Sequence, residues 1–285
     1  MTAMLGVFSF VLSRRYKLNV KGLHLLQEPG AKLLLQNHQS HIDPQLLGVY
    51  VAQRSNLVPV ISEKFLGIPV IGSILRSLNA VAVSDLKHGN RDPDVLKNMF
   101  SKIMDALKEG KSVLIAPSGN IAHGPIEQIK NKQSAHALVS NLPDNVKVIG
   151  VRVTGLWGSM WSVAWKGNRP SFLLTLLKGI FYILANLIFF MPKRQVSFEF
   201  VDITEEAKLQ AQSARRTFNN YLQDFYNVDG PEEATYIKHF FYFPKMRRKY
   251  PSNLISAESL RKAKAEQSTK NETKEPMRQT SEVSA

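Results

Sequence analysis

Seven short runs rich in β-branched and aliphatic residues alternate with segments of helical periodicity, and this alternation restricts the fold more than any other feature. The runs fall at residues 18–26, 33–36, 57–62, 80–83, 112–116, 147–154 and 195–202, each of strand length and bounded by turn-forming residues. Helical patterns occupy 44–52, 68–78, 93–108 and 127–138, and a final long helix is expected over 205–226. The alternation predicts the α/β class, a mixed and mostly parallel sheet flanked by helices. With 285 residues, 44% of them hydrophobic, the chain can bury one substantial core. Beyond Leu254 the apolar residues give way to Ser, Thr, Glu and Lys. Residues 251–285 therefore read as a polar tail, with about the last 25 lacking stable structure beyond a short helix.

Charge is the second constraint. The chain has 37 Lys and Arg against 23 Asp and Glu, a formal +14, so an anionic partner is expected. The excess is concentrated in residues 1–27, 145–198 and 238–250, which together hold sixteen basic residues and no acid. Each of these segments is also apolar or aromatic: Met4 to Leu12, then Trp157, Trp161 and Trp165, then Phe240-Phe241-Tyr242-Phe243. Cations beside rings and aliphatic clusters suit a lipid headgroup region better than a nucleic-acid groove, so membrane lipid is the expected partner and nucleic acid is not. The absence of cysteine excludes a disulfide scaffold, thiolate metal sites, iron–sulfur clusters and a cysteine nucleophile.

Two apolar stretches refine that expectation. Residues 4–12 are too short for a secretory leader and their charges follow rather than precede them, so 1–16 reads as an interfacial helix. Sixteen of the twenty residues in 172–191 are apolar, flanked by Arg169 and by Lys193-Arg194. That length suffices to cross a bilayer, but a crossing would remove the strand at 195–202 from the sheet. A helix lying in the membrane plane is the preferred expectation, with 170–192 as an apolar insertion in a domain spanning 17–250. The three tryptophans, at i, i+4 and i+8, would share one helical face and form a headgroup-level anchor.

Chemistry concentrates in Asn37-His38-Gln39-Ser40-His41-Ile42-Asp43-Pro44, where a strand gives way to a helix opening on proline. In such a turn Asp43 can meet one nitrogen of His38, fix its tautomer and leave the other nitrogen free to take a proton. Two other readings stay open on the residues alone. Asp43 can be a helix cap with His38 a plain loop residue. Alternatively, His38, His41 and Asp43 can serve a metal-dependent hydrolase, with His88 or His123 as a further ligand.

The run resembles the first signature, N-H-x-S-x-x-D, of the glycerolipid acyltransferases typified by 1-acylglycerol-3-phosphate acyltransferase. Further blocks follow in order: Lys64-x-x-Gly67-x-Pro69-x-x-Gly72, then Pro117-Ser118-Gly119 after a strand, then Lys132 with Ser134-Ala135, then Val148 to Gly155. The resemblance covers about residues 15–205. Gly155-Leu156-Trp157-Gly158-Ser159, the apolar stretch and Pro192-Lys193-Arg194 are similar to acyltransferase domains fused to acyl-activating ligases, of the 2-acylglycerophosphoethanolamine acyltransferase type. The chain departs from the pattern where Ser118, Asn120 and Ile121 replace the family's Glu, Thr and Arg, where Gly150 replaces a proline, and where 79–85 lacks an arginine. With both arginines gone, a bare glycerol phosphate acceptor is disfavoured.

The resemblance implies a glycerol-3-phosphate acyltransferase-like fold and transfer of a fatty acyl group from acyl-CoA or acyl carrier protein to a lysophospholipid or related hydroxyl. His38 would be the general base, oriented by Asp43, with backbone N–H groups just after His38 as oxyanion donors. Asn37, Ser40, Lys64, Ser118, Gly119, Asn120 and Arg152 are the expected substrate-binding residues. No metal or resident cofactor is expected, and a separate acyl-activating ligase would supply the donor. The expected location is the cytoplasmic face of a bacterial inner membrane. The alternative within the family is a catalytically silent lipid-binding relative.

Overall fold

The computed structural model describes residues 2–68, 71–77, 80–83, 93–243 and 248–272. Strands β1 (Tyr16–Lys21), β2 (Lys32–Gln36), β3 (Leu57–Ser62), β4 (Val81–Val83), β5 (Ser112–Ile115), β6 (Lys147–Thr154) and β7 (Arg194–Asp202) make one seven-stranded sheet in the order β1-β7-β6-β2-β5-β3-β4. Only β6 and β7 run antiparallel; the other neighbours are parallel. Strand β2 lies between β5 and β6, and all five of its residues are buried. Its Lys-Leu-Leu-Leu-Gln run is apolar on both faces, as a covered parallel strand requires. Lys32 is tolerated there because its Nζ donates to the carbonyls of Glu28 (2.5 Å) and Gly30 (3.0 Å).

Helices cover both faces. Leu33 and Leu35 point toward α5 (Pro93–Lys108), α6 (Ser134–Val139), α8 (Thr204–Ala211) and α9 (Arg215–Tyr226), packing with Ile103, Leu107, Phe218 and Leu222. Leu34 points the other way, toward α2 (His24–Gln27), α3 (Asp43–Ala52) and the start of α7 (Phe172–Ala185), with Leu47, Val51, Val153 and Phe198. The remaining helices are α1 (Thr2–Arg15), α4 (Ile71–Ser77) and α10 (Ala257–Glu272). The expected α/β class with a mixed, mostly parallel sheet is the observed one.

Four expectations change. The strand expected over 18–26 stops at Lys21, because Gly22 turns the chain at φ 71° against β7; a Cβ there would stand 2.1 Å from the Phe200 carbonyl oxygen. The helix expected over 127–138 begins only at Ser134. Residues 127–132 are an irregular loop whose backbone is taken by Asn219, Gln223 and Asn227, one stripe of α9 and its end. The single helix expected over 205–226 is two, α8 and α9. The break is held from α6, where His136 Nε2 donates to the Ser213 carbonyl (3.1 Å) and Ser140 Oγ to the Ala211 carbonyl (3.1 Å). The tryptophans do not share a helical face: the stretch is turns and a short 3₁₀ helix, Val163–Trp165, and Trp157 and Trp161 are core residues. Of the polar tail, Ala257–Glu272 is helical and residues 273–285 lie outside the described part.

Helix α7 has 14 residues, about 21 Å at 1.5 Å per residue, against a hydrocarbon core of about 30 Å. Among the described residues no helix is long and apolar enough to cross a membrane. Asn186 ends it, donating to the carbonyls of Tyr182 (2.5 Å) and His239 (2.8 Å) and accepting from the Phe241 N–H (2.9 Å). Leu187 and Ile188 then reverse the chain at positive φ, and β7 rejoins the sheet. Because Gly22 needs both its φ and the missing Cβ, Gly22→Ala is expected to cost about 1–3 kcal/mol or more. Chemical denaturation read by circular dichroism would measure the loss.

Candidate active site

At the carboxyl end of β2 the chain enters the loop 37–42, beside the carboxyl ends of β5 and β6, where open parallel sheets place their ligands. Asp43 opens α3 but does not cap it; its carboxylate turns back into the loop. Its Oδ1 accepts from His38 Nδ1 at 2.8 Å, and its Oδ2 accepts from the backbone N–H groups of Gln39 (2.6 Å) and Ser40 (3.0 Å). Asp43 is fully buried and the His38 side chain keeps 14% exposure. A carboxylate only accepts, so Nδ1 carries the proton, and in the neutral ring Nε2 keeps its lone pair. Burial pulls the His38 pKa down, but Asp43's charge and hydrogen bond, with Glu127's charge, outweigh it and hold the imidazole above its ordinary value.

Long-range contacts fix this loop. Asn37 pairs with the backbone of Val153 in both directions, Nδ2 to carbonyl (2.9 Å) and N–H to Oδ1 (2.7 Å). Gln39 accepts from the Leu156 N–H (3.1 Å) and donates to Glu232, whose other oxygen accepts from the Gly155 N–H (2.8 Å). The His38 carbonyl accepts from Ala122 N–H (2.6 Å), and the His41 N–H donates to the Trp161 carbonyl (3.1 Å). The His41 ring packs edge-on to Phe172, the first residue of α7, at 6.1 Å, and burial pulls its pKa down to about 4.

The expected site residues divide. His38 and Asp43 meet. Ser40 is buried at the same turn, holding Asp43 through its backbone, with no partner for its hydroxyl. Ser118, Gly119 and Asn120 form the turn after β5. Ser118 donates to the Asn120 carbonyl (3.0 Å), and Gly119 adopts φ 62° with open space around it, so conformation rather than crowding calls for glycine. Asn37 is consumed in joining β2 to β6. Arg152 is held away by Glu199 (3.0 Å) and lies over the Phe225 ring (4.8 Å). Lys64 falls in a 3₁₀ turn, Glu63–Gly67, with its side chain outside the described part, as is His88. Ile121 is buried with Trp157, Val163 and Ala164, so core packing occupies a position where the family pattern has a cation.

The oxyanion donors expected just after His38 are not free. The N–H of His38 goes to Glu127 (3.2 Å), those of Gln39 and Ser40 to Asp43, and that of His41 to Trp161. Among the described residues no three His, Asp or Glu side chains converge to hold a metal.

Three residues of the site had no local signal. Glu127, 89 positions from His38, is 5% exposed and binds the His38 N–H through Oε2; burial raises its carboxyl pKa to about 7. Arg169 is exposed and close enough for its charge to act on both His38 and His41, and among the described residues it forms no ion pair. Glu232 braces Gln39 from a C-terminal stretch without regular structure.

Residues 17–154, a little under half of the chain, match the family model Acyltransferase. Among solved structures the chain is similar to the 1-acyl-sn-glycerophosphate (LPA) acyltransferase PlsC from Thermotoga maritima. The two are 16% identical, with 79% of this chain and 77% of that one covered and a TM-score of 0.47. No curated protein matches the chain significantly.

The Glu127 carboxyl has a folded pKa of about 7 against an ordinary 4.5, so the folded state holds its proton more tightly. The folded state is then favoured at low pH, and this contribution is lost as pH rises from about 4.5 to about 7, on the order of 3 kcal/mol. Glu127→Gln is expected to flatten that decline in thermal melts taken from pH 4.5 to 8.

Proposed function

We propose that this protein moves a fatty acyl group from the thioester of acyl-CoA or acyl carrier protein to a hydroxyl of a lysophospholipid or related lipid, at a membrane surface. The observation that carries the reading is the His38–Asp43 pair at the carboxyl edge of the sheet, an arrangement that in the neutral ring leaves Nε2 free to take a proton. His38 Nε2 takes the proton of the acceptor hydroxyl as its oxygen attacks the thioester carbonyl. Asp43 holds the tautomer and stabilises the imidazolium. Collapse of the tetrahedral intermediate breaks the C–S bond, and the imidazolium returns its proton to the leaving thiolate. No acyl-enzyme forms, and no metal or resident cofactor takes part. Arg169, unpaired beside the two histidines, meets the acceptor's phosphate.

Membrane attachment is supported by one continuous apolar surface. Helix α7 exposes Leu173, Leu174, Leu177, Ile180, Phe181 and Leu184. Contacts of Phe10 with Phe189 (6.5 Å) and of Phe190 with Phe241 (5.2 Å) join it to α1 and to residues 240–243. This surface starts at Phe172, against His41, so an acyl chain leaving the lipid layer arrives beside the base. An in-plane α7 on the cytoplasmic face of a bacterial inner membrane is the arrangement we favour, with the acyl donor supplied by a separate acyl-activating ligase.

His38→Ala should reduce transfer of labelled acyl groups to lysolipid by 10²-fold or more, and Asp43→Asn by roughly 10²–10⁴-fold. Near-normal transfer by His38→Ala would overturn the mechanism. Because a raised imidazole must lose its proton before acting, kcat/KM should rise with pH through a limb above 6.5, and Asp43→Asn should move that limb to lower pH. For the membrane, Leu177→Glu with Phe181→Glu should abolish cosedimentation with phosphatidylglycerol vesicles while leaving the melting temperature nearly unchanged. Wild-type protein should be released from membranes by alkaline carbonate, whereas retention would favour an integral span.

A further inference from the structure

Between α9 and α10 the described chain is irregular, yet residues 231–243 and 248–254 lie along the loop 155–170 as a strap. At one end the Glu232 carboxylate accepts from Gln39 Nε2, from the Gly155 N–H (2.8 Å) and from the Trp157 N–H. Next, the Thr235 N–H donates to the Trp157 carbonyl (3.0 Å) and the Tyr236 hydroxyl to the Ala164 carbonyl (2.9 Å). At the other end Arg248 Nε donates to the Trp165 carbonyl (2.7 Å) and Asn253 Nδ2 to the Gly167 carbonyl (2.7 Å). Arg194, buried at the start of β7, staples the two layers by donating to the carbonyls of Gly155 (2.8 Å) and Thr235 (2.7 Å).

Each end of the strap stops one step from the chemistry. Gln39 follows His38, and its own N–H is held by Asp43, so Glu232 acts on a side chain whose backbone belongs to the turn of the base. Gly167 precedes Arg169 by two residues; the Pro170 carbonyl accepts from the His41 ring, and the Arg169 charge reaches both histidines. The residue types fit the task. Gln39 Oε1 is taken by the Leu156 N–H (3.1 Å), which leaves its Nε2 to donate beside the N–H groups of Gly155 and Trp157. Three donors converging on one side chain are satisfied by an acceptor-only carboxylate and not by an amide.

We propose that the strap is a positioning element of the active site, in which Glu232 fixes the loop of the base and Asn253 fixes the arm that carries Arg169. The two ends have separable effects: Glu232 governs the chemical step through His38, and Asn253 governs acceptor binding through Arg169. A charge is costly to bury even when paired, and what Glu232 supplies in return is a fixed geometry. The inference rests on the acyl-transfer reading above and adds to it residues outside 17–154, the part that matches the family model.

The test is steady-state kinetics of labelled acyl transfer to lysolipid by the full chain, at a pH above the His38 limb, with the melting temperature of every variant. Glu232→Gln sets an amide donor against the Gln39 amide and should lower kcat by about tenfold or more, with both KM values within about twofold. Gln39→Glu, which opposes two carboxylates, should do the same. Combining the two substitutions reverses the bond, with the amide now donating from position 232, and keeps an oxygen for the Leu156 and Gly155 N–H groups. In this swap kcat should return to within about threefold of wild type. Asn253→Ala should raise the acceptor KM about fivefold or more, leave kcat and the thioester KM within about twofold, and add nothing to the effect of Arg169→Ala. Lowered melting temperatures with wild-type kcat and KM would overturn the proposal, since the strap would then serve stability alone. A swap that regains the melting temperature without regaining kcat also overturns it, and decides the case in which a single variant fails to fold. Failure of wild type to acylate any lysolipid removes the acyl-transfer reading itself. The strap is then read from the His38 Nδ1–H signal in NMR, which Glu232→Gln should broaden by solvent exchange and the swap restore; an unchanged signal refutes the positioning role.

Discussion

The Asp43 carboxylate is fully buried, and the loop that leads to it supplies its compensation: the imidazole Nδ1–H of His38 and two consecutive backbone N–H groups. A buried charge without such donors would be costly enough to shift its ionisation or unfold the turn. The dependence runs both ways. The loop needs the carboxylate to satisfy N–H groups that no strand or helix uses, and the buried carboxylate needs the loop's donors in place of water. His38 receives its tautomer and its orientation from this exchange, so its geometry follows from electrostatic closure of a six-residue turn, His38 to Asp43.

The rest of the chain braces that turn from three directions. Strand β6 and the segment after it hold Asn37 and Gln39, the loop after β5 holds both backbone groups of His38, and the packing at the start of α7 fixes His41. On the outer side, the three acid-free basic segments come together in space. Arg15 of α1 donates to the carbonyls of Pro192 and Lys238, one from each of the other two segments, and Arg14 lies 4.5 Å over Phe10. The formal +14 is thus gathered partly around one apolar surface that begins beside the site, rather than dispersed over the molecule.

Local patterning made much of this legible. Residues 57–62, 93–108 and 147–154 form the elements their composition predicts, because strand and helix periodicities are properties of contiguous residues. His38 and Asp43 were legible for the same reason: five positions apart, they meet within one turn. Glu127 was not, since its 89-residue separation from His38 leaves no trace in spacing, and its segment carries a helical pattern that α9 overrides. The stripe Asn219, Gln223, Asn227 offers the backbone of 127–132 better partners than a helix would, and Lys130 accepts φ 55° as part of the exchange. The tryptophans show the limit of composition: Trp157 and Trp161 are spaced like an anchor, but Gly155 and Gly158 turn the chain so that both rings enter the core.

The bridge from Gln39 to Glu232 spans 193 residues of sequence. During synthesis at about 5–20 residues per second, the loop 37–42 is made roughly 10–40 s before the residue that completes its brace. Strand β7, α9 and the C-terminal stretch emerge within that interval, so the central strands can pair before the loop is braced. A nascent chain of this protein therefore has its central strands before the Gln39–Glu232 bridge can close, and the brace of the loop 37–42 is completed late in synthesis.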